Sequence, residues 1–304
     1  MSIATEAGRA DQSARNGWLL SLPAVIVLLI GSAGPLLIVV YYSVMTKGEH
    51  FGVQPPFTLE AWFKVVFARD IFDGTISFAD ANLLILWRSV KLAFLTTVIT
   101  FALGLPTAWF IATRPPKARM IWLFLINIPF WTNLLIRTFA ILEVIRNEGL
   151  INSALIGMGV IATPIQLLYT DGATLAGMAY VYLPFMVLPL YAAIDRFDLR
   201  LIEAAYDLYA SRWAVLARVI LPIIQPGIIG GCILVFVPAL GAYVTPRVLG
   251  GNKNMMIGNF IELLFGPGKN WPLASALSIV LLVIVMIAVL VYVRVSTKGG
   301  VSHG

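Results

Sequence analysis

Charge is what this sequence has least of. Of 304 residues, only 12% are Asp, Glu, Lys or Arg, while 60% are hydrophobic and the mean hydropathy is +0.90. A soluble domain carries roughly 25% charged residues, so the composition excludes that class and implies an integral membrane protein. Cysteine is nearly absent. The single Cys232 lies in an apolar run, which excludes an intramolecular disulfide and a thiolate metal cluster. Histidine is as scarce, and His50 and His303 fall in a loop and a tail where neither reads as a metal ligand. Catalytic signatures are missing too. There is no P-loop, no His–Glu–x–x–His zinc pattern and no GxSxG elbow, and the GGNKN run at Gly250 lacks the spacing of a phosphate cradle. The chain therefore reads as no enzyme, with no cofactor or metal of its own. The net charge of +6 comes without a basic stripe, which argues against nucleic acid as a partner.

What is present is a series of apolar runs about 20 residues long or longer, the length of a membrane-spanning helix. The short alternating segments of a β-barrel are not seen, so the expected fold is all-α, a polytopic bundle whose helices satisfy their own backbone. Six spans are expected: Trp18 to about Tyr42, Val90–Ala112, Met120–Ile145, Ala173–Ile194, Gln225–Val248 and Pro272–Val295. The first is too long for a signal-peptide core and has no small-residue cleavage site after it. Residues 1–16 read as a disordered cytoplasmic tail, 17–296 as the membrane domain and 297–304 as a second tail. Between the first two spans, FTLEAWFKVVF places Leu59, Trp62, Phe63 and Val66 at helical spacing, which fits an interfacial helix or a partner contact. GLINSALIGMGV, between the third and fourth spans, is helical but too short to cross.

Orientation follows from the basic residues. Arg114, Lys117 and Arg119 crowd one tight turn, and Arg9, Arg15, Arg196, Arg200, Arg212, Arg218, Arg294 and Lys298 fall in short segments on the same side of a six-span scheme. That side is expected to be cytoplasmic, giving N-in and C-in.

The longest charged interruption of the second half is Leu201–Pro222, LIEAAYDLYASRWAVLARVILP. Two short helices joined at Tyr209–Ser211 are expected there. Leu201, Ala204, Ala205 and Leu208 share one face of the first, Glu203 and Asp207 stand at i, i+4 on another, and Ser211 is a good N-cap for the second. Small residues on one face permit close approach, with the acidic pair and Arg212 meeting polar groups on the rim of a partner's groove. A solvated amphipathic loop is the competing reading of the same composition.

The spacing here resembles a known family. Glu203-Ala204-Ala205 followed by Val219-x-Leu221-Pro222 matches the EAA loop of ABC importer permeases, whose pattern is EAA, three residues, Gly, nine residues, I-x-L-P. IPFWTNLLIRTFA (128–140), GLIN (149–152), YVTPRVLGG (243–251) and NWPLASALS (270–278) resemble the spermidine/putrescine-type subfamily, and the similarity covers residues 18–296. The resemblance implies a type I importer permease with an EAA coupling loop at about 195–224. It would pair with a second permease and with two cytoplasmic ATPase subunits that bind ATP and Mg, and an extracytoplasmic solute-binding protein would deliver the solute. The coupling contacts implied are Glu203, Ala204, Ala205, Asp207, Tyr209, Ala210, Ser211 and Arg212. One departure stands out: Tyr209 occupies the place of the family's glycine, where a left-handed backbone would cost a tyrosine about 1 kcal/mol or more. Either the first helix ends differently, or the ring gains contacts in the partner.

For a solute path, an ionisable group deep in a span is costly and invites a functional reading. Arg137 is the deepest, with a structural role (pairing with a carbonyl or acid) as the competing reading. Trp131, Asn133, Glu143, Tyr180, Tyr182 and Tyr243 complete the candidates, because ammonium groups favour carboxylates and aromatic faces. Buried acids are few, which keeps opines and amino-acid-like solutes beside polyamines. The alternative function is a secondary transporter or channel driven by an ion gradient without an ATPase, although no internal repeat of the inverted kind is evident.

Overall fold

The computed structural model describes residues 3–49, 52–69, 75–251 and 254–299. His50 and His303, the Asn252-Lys253 pair of the GGNKN run, and residues 300–304 of the second tail lie outside them. The first helix, α1 (Ile3–Ser43), begins inside the stretch read as a disordered tail. From Leu22 onward it is apolar on all sides and packs chiefly along the last helix, which leaves Val27, Leu28 and Ile30 about 70% exposed in the isolated chain. A helix apolar all round is what lipid, or another apolar helix, accepts.

The next segment adds two small strand pairs to a mostly helical chain. β1 (Met45–Lys47) pairs antiparallel with β2 (Val53–Phe57), and β3 (Phe67–Arg69) with β4 (Ile76–Phe78). Between them, α2 (Glu60–Val66) buries Ala61 and Val65 against Leu264, Leu273 and Leu277. The expected apolar face is thus split: Trp62 turns in and donates Nε1 to Ser43 Oγ at 3.3 Å, while Leu59 is 70% exposed. Phe63 stacks on Phe67 at 5.2 Å, and Phe67 on Phe78 at 5.5 Å, so one helix and one hairpin share an aromatic strip.

The core is a three-helix contact among α3 (Asp80–Ala112), α7 (Asp171–Asp195) and α11 (Gln225–Leu240). It is close because Gly104 of α3 and Gly231 of α11 both face Met186 of α7. A Cβ at either glycine would lie within 3 Å of the Met186 side chain. Polar groups inside are mostly returned to their own helices, as where Thr97 and Thr100 donate to carbonyls one turn back.

The third expected span is broken. Helix α4 (Pro116–Asn127) runs into a 3₁₀ turn at Ile128–Trp131, and α5 (Leu134–Ile145) leaves at 96°. Pro129 removes an N–H, Thr132 is extended, and Asn133 restarts the helix by accepting from the Leu135 N–H at 2.8 Å. Beyond α5 comes α6 (Leu150–Gly157), short as expected. The fifth expected span ends early, at Leu240 instead of Val248. Gly241 caps α11, and residues 242–250, including a π-turn at Pro246–Gly250, fold back so that Thr245 and Leu249 fill the notch at Gly177 of α7. The last two helices among the described residues are α12 (Ile257–Phe265) and α13 (Trp271–Gly299).

Among the described residues, four helices are long and apolar enough to cross a membrane, and two bent pairs raise the count to as many as 6 if each pair is one span. Together α3, α7 and α11 define two ends. One carries the α3–α4 turn and residues 196–224, the other the segments 146–170, 241–251 and 254–256.

Candidate functional site

The first of these ends is built around the EAA sequence. Arg196 caps α7, and Phe197 turns into the core, packing on Trp109 of α3 with ring centroids 6.4 Å apart. Asp198 accepts from the Arg200 N–H at 3.0 Å and starts α8 (Arg200–Asp207). This helix lies on the core through Ile202 and Ala205, one turn apart. Leu201 (44% exposed) and Leu208 (82%) therefore point away from it, which corrects the expected face of Leu201, Ala204, Ala205 and Leu208. Two turns of helix have room for one inward stripe, and it runs through Ile202 and Ala205.

The joint answers the question raised by Tyr209. It adopts φ 59°, the left-handed conformation, and helix α8 ends in a Schellman arrangement. The Ala210 N–H donates to Ala205 O at 3.1 Å and the Tyr209 N–H to Tyr206 O at 2.9 Å. Ala210 packs inward beside Ala205 and supplies the apolar contact of this motif, while the Tyr209 ring is 99% exposed. Ser211 then caps α9 (Arg212–Val215) by accepting from the Ala214 N–H at 3.3 Å.

The chain continues through a π-helical turn, Leu216–Ile220, into a short α10 (Leu221–Ile223) that meets α11 at 72°. The π-turn has a local cause: the Leu221 N–H reaches Leu216 O, five residues back, and Pro222 has no N–H to continue an α-helical ladder. Val215, Ile220 and Ile224 belong to the same buried cluster as Ala108 and Ile111 of α3 and Met186, Leu190 and Ile194 of α7. Through this cluster α8 and α9 are packed onto the ends of the core helices. Arg119, which donates to Ala112 O at 2.8 Å and pairs with Asp195, braces the α3–α4 corner to α7 at this level.

Glu203 and Asp207 are exposed on the outer face, and neither has an ion-pair partner among the described residues. Around them Tyr206, Leu208, Tyr209 and Trp213 are 47%, 82%, 99% and 80% exposed. Ala204 and Arg212 are exposed as well.

The path candidates do not form one site. Arg137 is buried but local: its Nη2 donates to Thr132 O at 3.1 Å, its guanidinium faces the Phe130 ring at 5.8 Å, and Nε has no partner among the described residues. Asn133 is the cap of α5. Trp131 is 80% exposed with its edge on Phe124. Glu143 pairs with Arg146 at 3.2 Å. Tyr182 packs between α7 and α11, donating to Pro238 O at 3.2 Å. Tyr180, on an open stripe of α7, and Tyr243 are about half exposed.

Sequence reasoning passed over the polar struts of the opposite end. Buried Asn152 bonds both backbone groups of Ile165, at 2.9 and 3.0 Å; Asn259 donates to Tyr243 O at 2.6 Å; Ser89 Oγ accepts from the Ile257 N–H at 2.7 Å. Arg88 pairs with Asp171, joining α3 to the start of α7. Only Asn152 left a trace, as the last residue of GLIN.

Residues 85–298 match the family model of the binding-protein-dependent transport system inner membrane component. The chain belongs to this family. It is similar to the spermidine/putrescine transport system permease protein PotB of Escherichia coli, with 38% identity over 262 residues, 86% of this chain and 91% of that one. PotB of Haemophilus influenzae is 42% identical over 210 residues, 69% of this chain and 73% of that one. Among solved structures, a bacterial ABC transporter involved in the import of the acidic polysaccharide alginate has a TM-score of 0.74 at 18% identity, covering 97% of this chain and all of that one. The MetNI methionine ABC transporter, in inward-facing conformations, has a TM-score of 0.54 at 17% identity, covering 71% and 95%. These two structures share the fold of this transport protein, a multi-pass component of the inner membrane.

Proposed function

We propose that this permease is one half of the membrane channel of an ATP-driven importer for a polyamine-like or related small organic solute. The observation that carries the coupling part is the build of residues 197–224. An EAA helix is clamped to the core on one face, closed by a Schellman turn, and left with an exposed acidic and aromatic face. In this reading Glu203, Ala204, Ala205, Asp207, Tyr209, Ala210, Ser211 and Arg212 meet an ATPase subunit, which binds ATP and Mg, and this chain hydrolyses nothing. Two ATPase subunits, a second permease and an extracytoplasmic binding protein complete the machine. Each bent helix pair contributes one crossing, the second of them through α11 alone, giving six, with both termini and residues 197–224 in the cytoplasm.

The substrate class rests on the PotB relatives, whose name specifies spermidine and putrescine. Opines and amino-acid-like solutes are the alternatives for the same scaffold. The deciding experiment is uptake of labelled putrescine and spermidine into proteoliposomes. Transport is expected only with the ATPase subunits, the second permease, loaded binding protein and ATP. Uptake by this chain alone under an ion gradient would establish the secondary-transporter reading instead. A thermal-shift screen of the cognate binding protein against putrescine, spermidine, opines and amino acids settles the solute.

A further inference from the structure

At the end of the core opposite the coupling segment, between the end of α5 and the start of α7, lies an open cleft of about 310 Å³ lined by Arg146, Asn147, Glu148, Gln166, Leu168 and Tyr169. Its walls are fixed by buried backbone bonding. Asn152 clamps Ile165 through both backbone groups and also donates to Arg146 O at 3.3 Å, so one buried amide holds both walls. Gly149 closes the turn beneath, where a Cβ would meet three carbonyl oxygens within 3 Å. Tyr169 is held at φ 64°, a strained conformation for an aromatic residue. Its N–H donates to Leu249 O at 2.8 Å and its carbonyl accepts from Asn254 Nδ2 at 2.7 Å, leaving the side chain half exposed at the cleft.

Of the two charged side chains in the lining, only the acidic one has no ion-pair partner among the described residues. The Arg146 guanidinium is engaged by Glu143 at 3.2 Å, whereas the Glu148 carboxylate and the Asn147 and Gln166 amides have no partner among the described residues. A primary ammonium has three donors and no acceptor, and it is attracted by an aromatic face. One carboxylate, two amide oxygens and one tyrosine ring match that requirement, and the one basic side chain of the lining, Arg146, already faces Glu143.

We infer that this cleft is an ammonium-binding site at the outer mouth of the permease, which takes one terminal amine of an alkyl polyamine as it leaves the binding protein. The inference rests on the proposed function for the orientation and the solute, and it adds a place of contact that neither the EAA segment nor the earlier path candidates include. Glu148 supplies the charge, Asn147 and Gln166 the remaining acceptors, and Tyr169 the face.

The test is ligand-observed NMR of putrescine and spermidine with the complete importer in nanodiscs, without binding protein, at low ionic strength. The wild type is expected to bind both weakly. Glu148→Gln should raise Kd roughly two- to fivefold, with partial recovery in Glu148→Asp, and Tyr169→Leu should raise it about twofold. In a second measurement, the concentration of solute-free binding protein giving half-maximal ATPase stimulation should be the same in all four proteins. Unchanged Kd in both Glu148→Gln and Tyr169→Leu overturns the site, as does an importer that transports these amines yet binds none of them here. A weakened response to solute-free binding protein, with Kd unchanged, would make Glu148 a contact for a lysine of that protein and would also overturn it. A wild-type importer that neither binds nor transports the amines refutes the polyamine reading itself.

Discussion

Two tyrosines in this molecule share an unfavourable backbone and little else. Tyr169, near the start of α7, and Tyr209, at the end of α8, have φ of 64° and 59°. Around Tyr169 the neighbours enforce the conformation. A loop some 80 residues on in sequence takes both its N–H and its carbonyl, and Gly251 leaves room for the ring. Around Tyr209 only the local Schellman bonds do so, and the ring meets nothing. The surroundings follow the same division. The end near Tyr169 spends several of its polar groups internally, through Asn152, Asn254, Asn259 and Ser89, and leaves Glu148, Asn147 and Gln166 open at one cleft. At the other end Glu203, Asp207 and four large apolar or aromatic side chains are left exposed. The first end is a collar braced by long-range bonds to backbone, and the second is a broad exposed face.

The largest effect is expected from breaking the second end chemically while leaving it folded. Glu203→Lys keeps an exposed helical position, so insertion and expression should be unchanged. Reversing the charge in the coupling face should lower uptake by tenfold or more and abolish solute-dependent ATPase stimulation. Normal uptake and stimulation in this variant would remove Glu203 from the coupling role.

Next in size is the strut of the collar. Asn152→Leu is close in volume but leaves the Ile165 N–H and C=O without their partner in a buried place, at a cost of about 2 kcal/mol. Thermal unfolding of the detergent-solubilised protein should shift down accordingly, and amide exchange at Ile165 should accelerate while that of the Ala205–Ala210 turn stays the same. Equal acceleration at both ends would mean that the collar and the coupling segment open together, and the division drawn between them would fail.

How much of this was legible in the sequence depends on the range of the interactions. Spans read from apolar runs were found wherever one helix is continuous, because lipid imposes the length. They were misjudged at Trp131–Asn133 and Gly241–Gly250, where the chain turns inside a run that stays apolar; hydropathy averages over such a turn, and only Pro129, Asn133 and Gly241 signalled it. The joint at Tyr209–Ser211 was legible because a cap and a left-handed turn are local. The face that α8 buries was not, since Ile202 and Leu201 are equally apolar and only the position of the core chooses between them. The hairpins at 45–78 are held in part by aromatic stacking between segments that composition treats as plain loop. Asn152 and Asn259 bond to backbone 13 and 16 residues away, a distance at which no sequence period operates.

A smaller effect sharpens the pair of tyrosines themselves. Tyr209→Gly removes a left-handed side chain with no contacts to lose within this chain, so the isolated permease should gain up to about 1 kcal/mol, less the entropy that glycine adds to the unfolded state. Capture of the ATPase subunit should weaken several-fold if the exposed ring is part of the interface, as measured by co-purification titration. Tyr169→Gly makes the internal control, because that ring lies against Gly251 and loses contact when removed. A gain in stability in the second variant as large as in the first would show that the collar does not hold Tyr169 in place.

The smallest effect belongs to the most visible charge pair of the collar. Arg247 Nη1 lies 2.5 Å from Glu262 Oε1, but the two side chains are 57% and 46% exposed. In that setting solvent and salt screen most of the attraction, and long side chains lose rotamer freedom to make it. Arg247→Gln is therefore expected to change stability by less than about 0.5 kcal/mol, with the difference gone at high salt. Thermal unfolding at two ionic strengths measures it. A loss near that of Asn152→Leu, persisting at high salt, would mean that charge and not the buried amides fixes the collar.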